Sequence, residues 1–170
     1  MSHADVPAVL TVQSECYASV TLEDEATIRA RLDSAPATAW VVEDDAGVCA
    51  YLVGYRSRIG KVTPLGGHFD IAHDGDSLYL HDLAIGVRGQ GSGLGAKLVQ
   101  HALAYAASAG LGFSSLVSVQ DSRRFWEKQG YAVFSALAGA EKANLHSYAG
   151  QAWYMIRHSV DQPGARRADR

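Results

Sequence analysis

The sequence predicts an α/β fold, equally describable as α+β, in which one twisted mixed β-sheet carries helices on both faces. Three observations predict it. The apolar stretch from Ser77 to Ile85 reads as a strand, the glycine-rich turn Arg88 to Gly95 follows it, and that turn opens into a helix from about Ser92 to Ala109. A further strand at Ser115 to Val119 makes the unit strand–helix–strand. A helix crossover of this kind makes the two strands parallel and lays the helix over one sheet face.

The elements before this unit follow in order. Val6 to Tyr17 has helical apolar spacing, with Asp5 placed to cap it and Pro7 in its first turn. Leu22 to Leu32 reads as a second helix, capped by Thr21, with Glu23, Asp24 and Glu25 suited to the positive end of its dipole. Ala39 to Glu43 is a strand, Asp44-Asp45-Ala46-Gly47 a hairpin turn, and Val48 to Tyr55 the return strand. Arg56 to Asp76 holds Gly60, Pro64, Gly66, Gly67 and Gly75 and reads as a long loop, a feature often tied to function in small domains. After the central unit come a short helix from Ser122 to Gln129, stopped by Gly130, and strands at Tyr131 to Phe134 and Ala152 to Ile156.

The length, 170 residues, suits one domain, assigned to 1–160, with 161–170 as a short basic, solvated tail. Apolar residues at 48% and charged residues at 19% suit a packed globular core. No apolar run is long enough to span a membrane, and the first residues lack the basic and apolar regions of a signal peptide, so a cytoplasmic location is expected. Net charge is −3, which argues against nucleic acid as a partner and suits a cationic acceptor better than an anionic one. Cys16 and Cys49 are far apart and read as reduced thiols. His68, Asp70 and His73 sit in the glycine-rich loop without the further ligands a metal site needs, so no metal is expected.

The glycine turn is the chemical signal. Free backbone N–H groups and the dipole at a helix start attract anions, and missing side chains let phosphate oxygens come close. The turn lacks the Gly-Lys-Ser/Thr ending of a Walker loop, and Gly91, Gly93 and Gly95 miss the spacing of a dinucleotide fingerprint. It matches Arg/Gln-x-x-Gly-x-Gly/Ala, an acyl-CoA diphosphate loop, at Arg88, Gly91 and Gly93. A ligand-free strand-to-helix connection is the alternative.

Two motifs in order give the chain a family resemblance from about Tyr79 to Tyr131. Leu83-Ala84-Ile85 followed by Arg88-Gly89-Gln90-Gly91-Ser92-Gly93 resembles the central strand and signature loop of the GNAT N-acetyltransferases. Ser122-Arg123-Arg124-Phe125-Trp126-Glu127-Lys128-Gln129-Gly130-Tyr131 is similar to that family's second motif. The resemblance implies the GNAT fold and acetyl-CoA as co-substrate. It implies a coenzyme site of Leu83, Ala84, Ile85, Arg88, Gly89, Gln90, Gly91, Ser92, Gly93, Leu94, Ser122, Phe125 and Trp126. It also implies a bulge near Leu83-Ala84 that frees backbone groups for the coenzyme's arm. The family's usual first strand is missing or very short here, because the chain starts almost at its first helix.

Strand alternation places Tyr79, His81 and Leu83 on one face, with Leu78, Leu80 and Asp82 on the other until a bulge shifts the phase. His81 is the candidate general base. Serotonin N-acetyltransferases are similar here, with histidines at the positions of Tyr79 and His81. Polyamine acetyltransferases are similar at Asp82, which by that likeness holds a cationic acceptor. The family often protonates the leaving sulfur from a tyrosine, but Trp126 stands at that position, leaving Tyr154 or Tyr131 as substitutes. The family's asparagine falls near Val119 and Gln120. The expected activity is acetyl transfer to a primary amine of a small molecule, with a protein N-terminus or lysine, or a non-catalytic acyl-CoA-binding regulator, as alternatives. The resemblance leaves a homodimer open.

Overall fold

The structure is a computed structural model and describes residues 1–17, 22–148 and 150–159. The expected tail at 161–170 lies outside them. A single 3₁₀ turn, His3–Asp5, leads into α1 (Val6–Cys16), with no strand before it. Pro7 sits in the first turn of α1, where its missing N–H costs nothing, and Val6, Val9 and Val12 form its buried face. Helix α2 (Glu25–Ser34) starts later than expected. Asp24 caps it, its carboxylate accepting from the Thr27 N–H at 2.7 Å, whereas the proposed cap Thr21 lies outside the described residues.

The sheet has six strands: β1 (Ala39–Asp44), β2 (Gly47–Ser57), β3 (Ser77–Ile85), β4 (Phe113–Ser118), β5 (Ala132–Val133) and β6 (Trp153–His158). Their order is β1-β2-β3-β4-β6-β5, with β3 and β4 the parallel pair. Helix α3 (Leu94–Ser108) makes the crossover between them. Its Leu98, Val99, Ala102 and Ala106 pack on Ala50, Leu52, Leu78 and Leu80. On the other face, α1 and α2 cover Ala39, Tyr51 and Ala84. A third cluster joins Tyr55, Tyr79 and Tyr154 to the loop residues Val62 and Phe69. Helices α4 (Arg123–Lys128) and α5 (Gly139–Leu145) complete the described structure. No helix among the described residues is long and apolar enough to cross a membrane.

The long loop between β2 and β3 has no regular structure of its own, and α5 with the turn after it holds the loop down. Glu141 accepts from the Val62 N–H at 2.8 Å, Asn144 donates to Val62 O at 3.0 Å, and Tyr148 donates to Thr63 O at 2.7 Å. Ser147 Oγ accepts from the Leu65 N–H at 2.8 Å.

Candidate active site

The site begins with one extra residue in β3. Val53 pairs with Asp82, but the next residue, Gly54, pairs with Leu80, so His81 is bulged out of the β2–β3 ladder. The bulge therefore falls at His81 and not near Leu83-Ala84. One inserted residue shifts the side-chain phase by one. Leu83 and Ile85 consequently join Leu78 and Leu80 on the α3 face, while Asp82 and Ala84 join the face of Tyr79. The expected grouping of Leu83 with Tyr79 is corrected accordingly.

The bulge also marks the point where β3 and β4 part. Their parallel pairing runs from Ser77/Phe113 to Leu80/Leu116 and stops there, while β4 continues to pair with β6 through Ser118. The gap joins two cavities. One, of about 590 Å³ and open to solvent, lies towards α4 and is lined by Leu80, Leu83, Ser122, Phe125 and Trp126. The other, of about 640 Å³ and also open, lies towards α1 and is lined by Gln13, Glu23, Leu65 and Tyr148. Tyr17, His81, Asp82, Val117, Val119 and Gln120 border both. Gln120 and Asp121 hold positive φ angles of 51° and 58°, a conformation non-glycine residues adopt at a cost, at the turn where β4 leaves the sheet.

Polar side chains converge on the junction. Asp82 accepts from Tyr17 Oη and Tyr51 Oη, each at 2.5 Å. Burial raises the Asp82 carboxyl above its ordinary range, against the pull of these two hydrogen bonds. Burial and the neighbouring Asp82 charge push both tyrosine hydroxyls well above theirs, so they remain donors. Gln13, buried in α1, accepts from the Glu23 N–H at 2.9 Å and so fixes the chain just before α2. Glu23 forms an ion pair with the buried Arg31, whose other arm donates to Gly67 O at 2.7 Å. The second carboxylate oxygen of Glu23 lies 3.6 Å from His81 Nε2. Burial alone would raise the Glu23 carboxyl, but His81 and Arg31 together hold it at about 2. Phe69 from the long loop meets the His81 ring edge-on at 5.2 Å.

At the start of α3 the amides of Gly91, Gly93, Leu94, Gly95 and Ala96 meet no acceptor among the described residues. Gly91 and Gly93 have φ of 74° and 80°, the left-handed region, with Gly93 as the helix N-cap. A Cβ on Gly95 would sit 3.3 Å from the Phe125 ring, so close packing there ties the loop to α4. Ser92 Oγ turns back to Gly89 O at 2.5 Å, and Gln90 Nε2 to Ile85 O at 3.3 Å. These free amides fit an anion such as a diphosphate. The Arg88 side chain does not join them. Its guanidinium meets Asp44 at 3.2 Å and Val48 O at 3.0 Å, because the β1–β2 hairpin offers a carboxylate and unpaired carbonyls within its reach.

Several expected residues lie apart from the junction. Tyr79 and Tyr154 are buried in the cluster under the long loop, and Tyr154 Oη accepts from the Gly60 N–H at 2.9 Å. Tyr131 Oη is 2.7 Å from Ser114 Oγ beneath α4. None of the three lines either cavity, since their strand positions point into packed clusters, so none is placed as a proton donor at the gap. Ser122 Oγ lies 3.0 Å from Ser118 Oγ, while Phe125 and Trp126 border the α4-side cavity. Gln120, named beside the position of the family's asparagine, borders both cavities, and Tyr17, Glu23 and Tyr148 border the site without having been singled out for it from the sequence. Only the acidic run Glu23-Asp24-Glu25 carried a signal, and it reads equally well as a helix-start pattern.

Against known proteins, a model of the acetyltransferase (GNAT) family matches residues 6–131, most of the chain. A search of curated proteins finds no match. Among solved structures, a GphF GNAT-like decarboxylase in complex with isobutyryl-CoA superposes with a TM-score of 0.71 at 16% identity, covering 93% of this chain and 96% of that one. Ard1 from Thermoplasma volcanium gives 0.69 at 15% identity, covering 95% of each chain. The ribosomal-protein-S18-alanine N-acetyltransferase from Escherichia coli gives 0.65 at 13% identity, covering 98% and 96%. At these identities the structural likeness is one of fold. The family match spans β3, the glycine loop, α3 and α4, the elements that build the junction, and the chain belongs to the acetyltransferase (GNAT) family.

Proposed function

We propose that this chain is an N-acetyltransferase that moves the acetyl group of acetyl-CoA to a primary amine of a small molecule. The observation that carries the reading is the meeting of two cavities at His81 and Asp82 through the gap between β3 and β4. The cavity towards α4 takes the coenzyme. The free amides of Gly91 and Gly93 to Ala96 hold its diphosphate, and the β3 edge from Leu83 to Ile85, unpaired with β4, takes the amide-rich arm like an added strand. Leu83, Phe125 and Trp126 pack along that arm. The cavity towards α1, bordered by Glu23 and Asp82, takes the amine.

In the reaction the amine nitrogen forms a bond to the thioester carbonyl carbon, and the C–S bond breaks. His81, bordering both cavities, takes the proton that the nitrogen loses. The carbonyl oxygen needs a donor as charge builds on it, and backbone N–H groups of β3 beyond the bulge are free of β4 for this role. No tyrosine need protonate the sulfur, because a thiol pKa of about 8.5 makes thiolate an acceptable leaving group. The β3 bulge thus serves both partners, opening the coenzyme groove and setting His81 beside it.

The test is thiol release from acetyl-CoA across small primary amines and short peptides with free N-termini. Turnover on small amines and a calorimetric signal with coenzyme A are expected. Preference for the peptides would move the acceptor to a protein N-terminus. No heat with millimolar coenzyme A would overturn the reading altogether.

A further inference from the structure

Resting on the acetyl-transfer reading, we infer that Glu23 is the positioning residue of His81, holding its imidazole from the Nε2 side and stabilising the imidazolium that forms when the ring takes the amine's proton. Three observations meet here. Glu23 Oε1 is buried, has no hydrogen-bond partner, and lies 3.6 Å from His81 Nε2. His81 Nδ1 is also buried and has no partner, so no other hydrogen bond fixes the ring from that side. The His81 and Arg31 side chains are only 5% and 4% exposed, which leaves Glu23 little solvent to pair with instead.

The chemistry follows from the charges. A carboxylate facing Nε2 fixes the orientation of the ring. When the ring takes the amine's proton, the new imidazolium lies beside an existing negative charge, at ion-pair distance. Arg31 keeps Glu23 ionised throughout and clips it to Gly67 of the long loop. Phe69, stacked on Tyr55 at 4.5 Å and beneath the Arg31 guanidinium at 5.0 Å, holds the imidazole edge. The other ionisable groups around His81 are Asp82 and Tyr79 from β3, Tyr17 from α1 and Tyr148 from the turn after α5. Asp82 already accepts from two tyrosines, so Glu23 is the carboxylate with an oxygen to spare.

Two measurements test the assignment. The His81 Nε2 signal in nitrogen NMR should move between the wild type and Glu23→Gln, and an unmoved signal would overturn the inference. The second measurement is turnover of Glu23→Gln. The kcat should fall about 10- to 100-fold with KM for the amine little changed. Glu23→Asp, which keeps the charge for Arg31, should recover part of the rate and serves where the glutamine variant does not fold. Turnover with an unchanged kcat overturns the pair alone. Absence of wild-type turnover on every amine overturns the acetyl-transfer reading and the catalytic role of the pair with it.

Discussion

Gly54 lies directly against the backbone of Tyr79: a Cβ on Gly54 would stand 2.5 Å from the Tyr79 carbonyl oxygen. The contact sits where the β2–β3 register slips to accommodate His81. Because the obstructing atom belongs to the backbone, no rotamer change relieves it. Gly54→Ala should therefore push β3 away from β2, destabilise the fold by about 1–3 kcal/mol as overpacking does, and displace His81. Urea unfolding and the rate of acetyl transfer measure the two effects, and a variant with wild-type values for both would separate the bulge from the chemistry.

Gly93→Ala tests the start of α3. Space around its Cβ is open, so the penalty is conformational, about 1–2 kcal/mol for placing an L-residue in the left-handed region. Relaxation of that strain turns the amides that follow, and coenzyme A affinity should fall about tenfold if they grip the diphosphate. Arg88→Ala, by contrast, should leave that affinity unchanged, since its guanidinium faces Asp44 and the hairpin. Calorimetric titration of both variants decides between the amides and the arginine.

Tyr17→Phe removes one of the two hydroxyls that satisfy Asp82 and leaves a buried carboxylate oxygen short of a donor. A loss of about 1–3 kcal/mol in stability is expected. Tyr17 borders both cavities, so the KM for the amine should rise as well. An unchanged amine KM would show that Asp82 stays in place on Tyr51 alone.

Glu23, held by His81 and Arg31 together, makes an acid-sensitive contribution to stability. The folded-state value for Glu23, about 2, lies below its ordinary 4.5, so the contribution is full above pH 4.5 and is lost as pH falls towards 2. That difference corresponds to about 3 kcal/mol. Asp82 works in the opposite sense: its raised value adds stability as pH falls through it. Urea unfolding of the wild type and Glu23→Gln between pH 5 and 2 should show the wild type losing the larger amount. Parallel curves would mean that neither partner of Glu23 adds anything.

Much of this arrangement was legible from residue order, and the limits have physical causes. β3 was read with its observed ends because a mainly apolar run, interrupted only by His81-Asp82, lies between Ser77 and Gly86. The glycine loop and α3 were legible because left-handed turns select glycine and the helix has a regular apolar stripe. Helix α5 was missed because Gly139-Ala140-Glu141-Lys142-Ala143 carries no such stripe and the helix is held by its bonds to the loop. The bulge was expected but misplaced, since its position depends on the Gly54–Tyr79 contact between separate strands. His81 and Asp82 were found by adjacency to the family motif. Tyr17 and Glu23 reach them from α1 and the segment before α2, and no local pattern records that meeting.

The fastening of the long loop by α5 has a consequence for how such a chain diversifies. Leu65 and Tyr148, both at the cavity towards α1, come from two segments that are remote in sequence yet stitched together through Val62, Thr63 and Ser147. Neither segment supplies a residue to the glycine loop at the start of α3. The two therefore behave as one exchangeable cassette: altered together, they can reshape the cavity towards α1 while the glycine loop keeps its form.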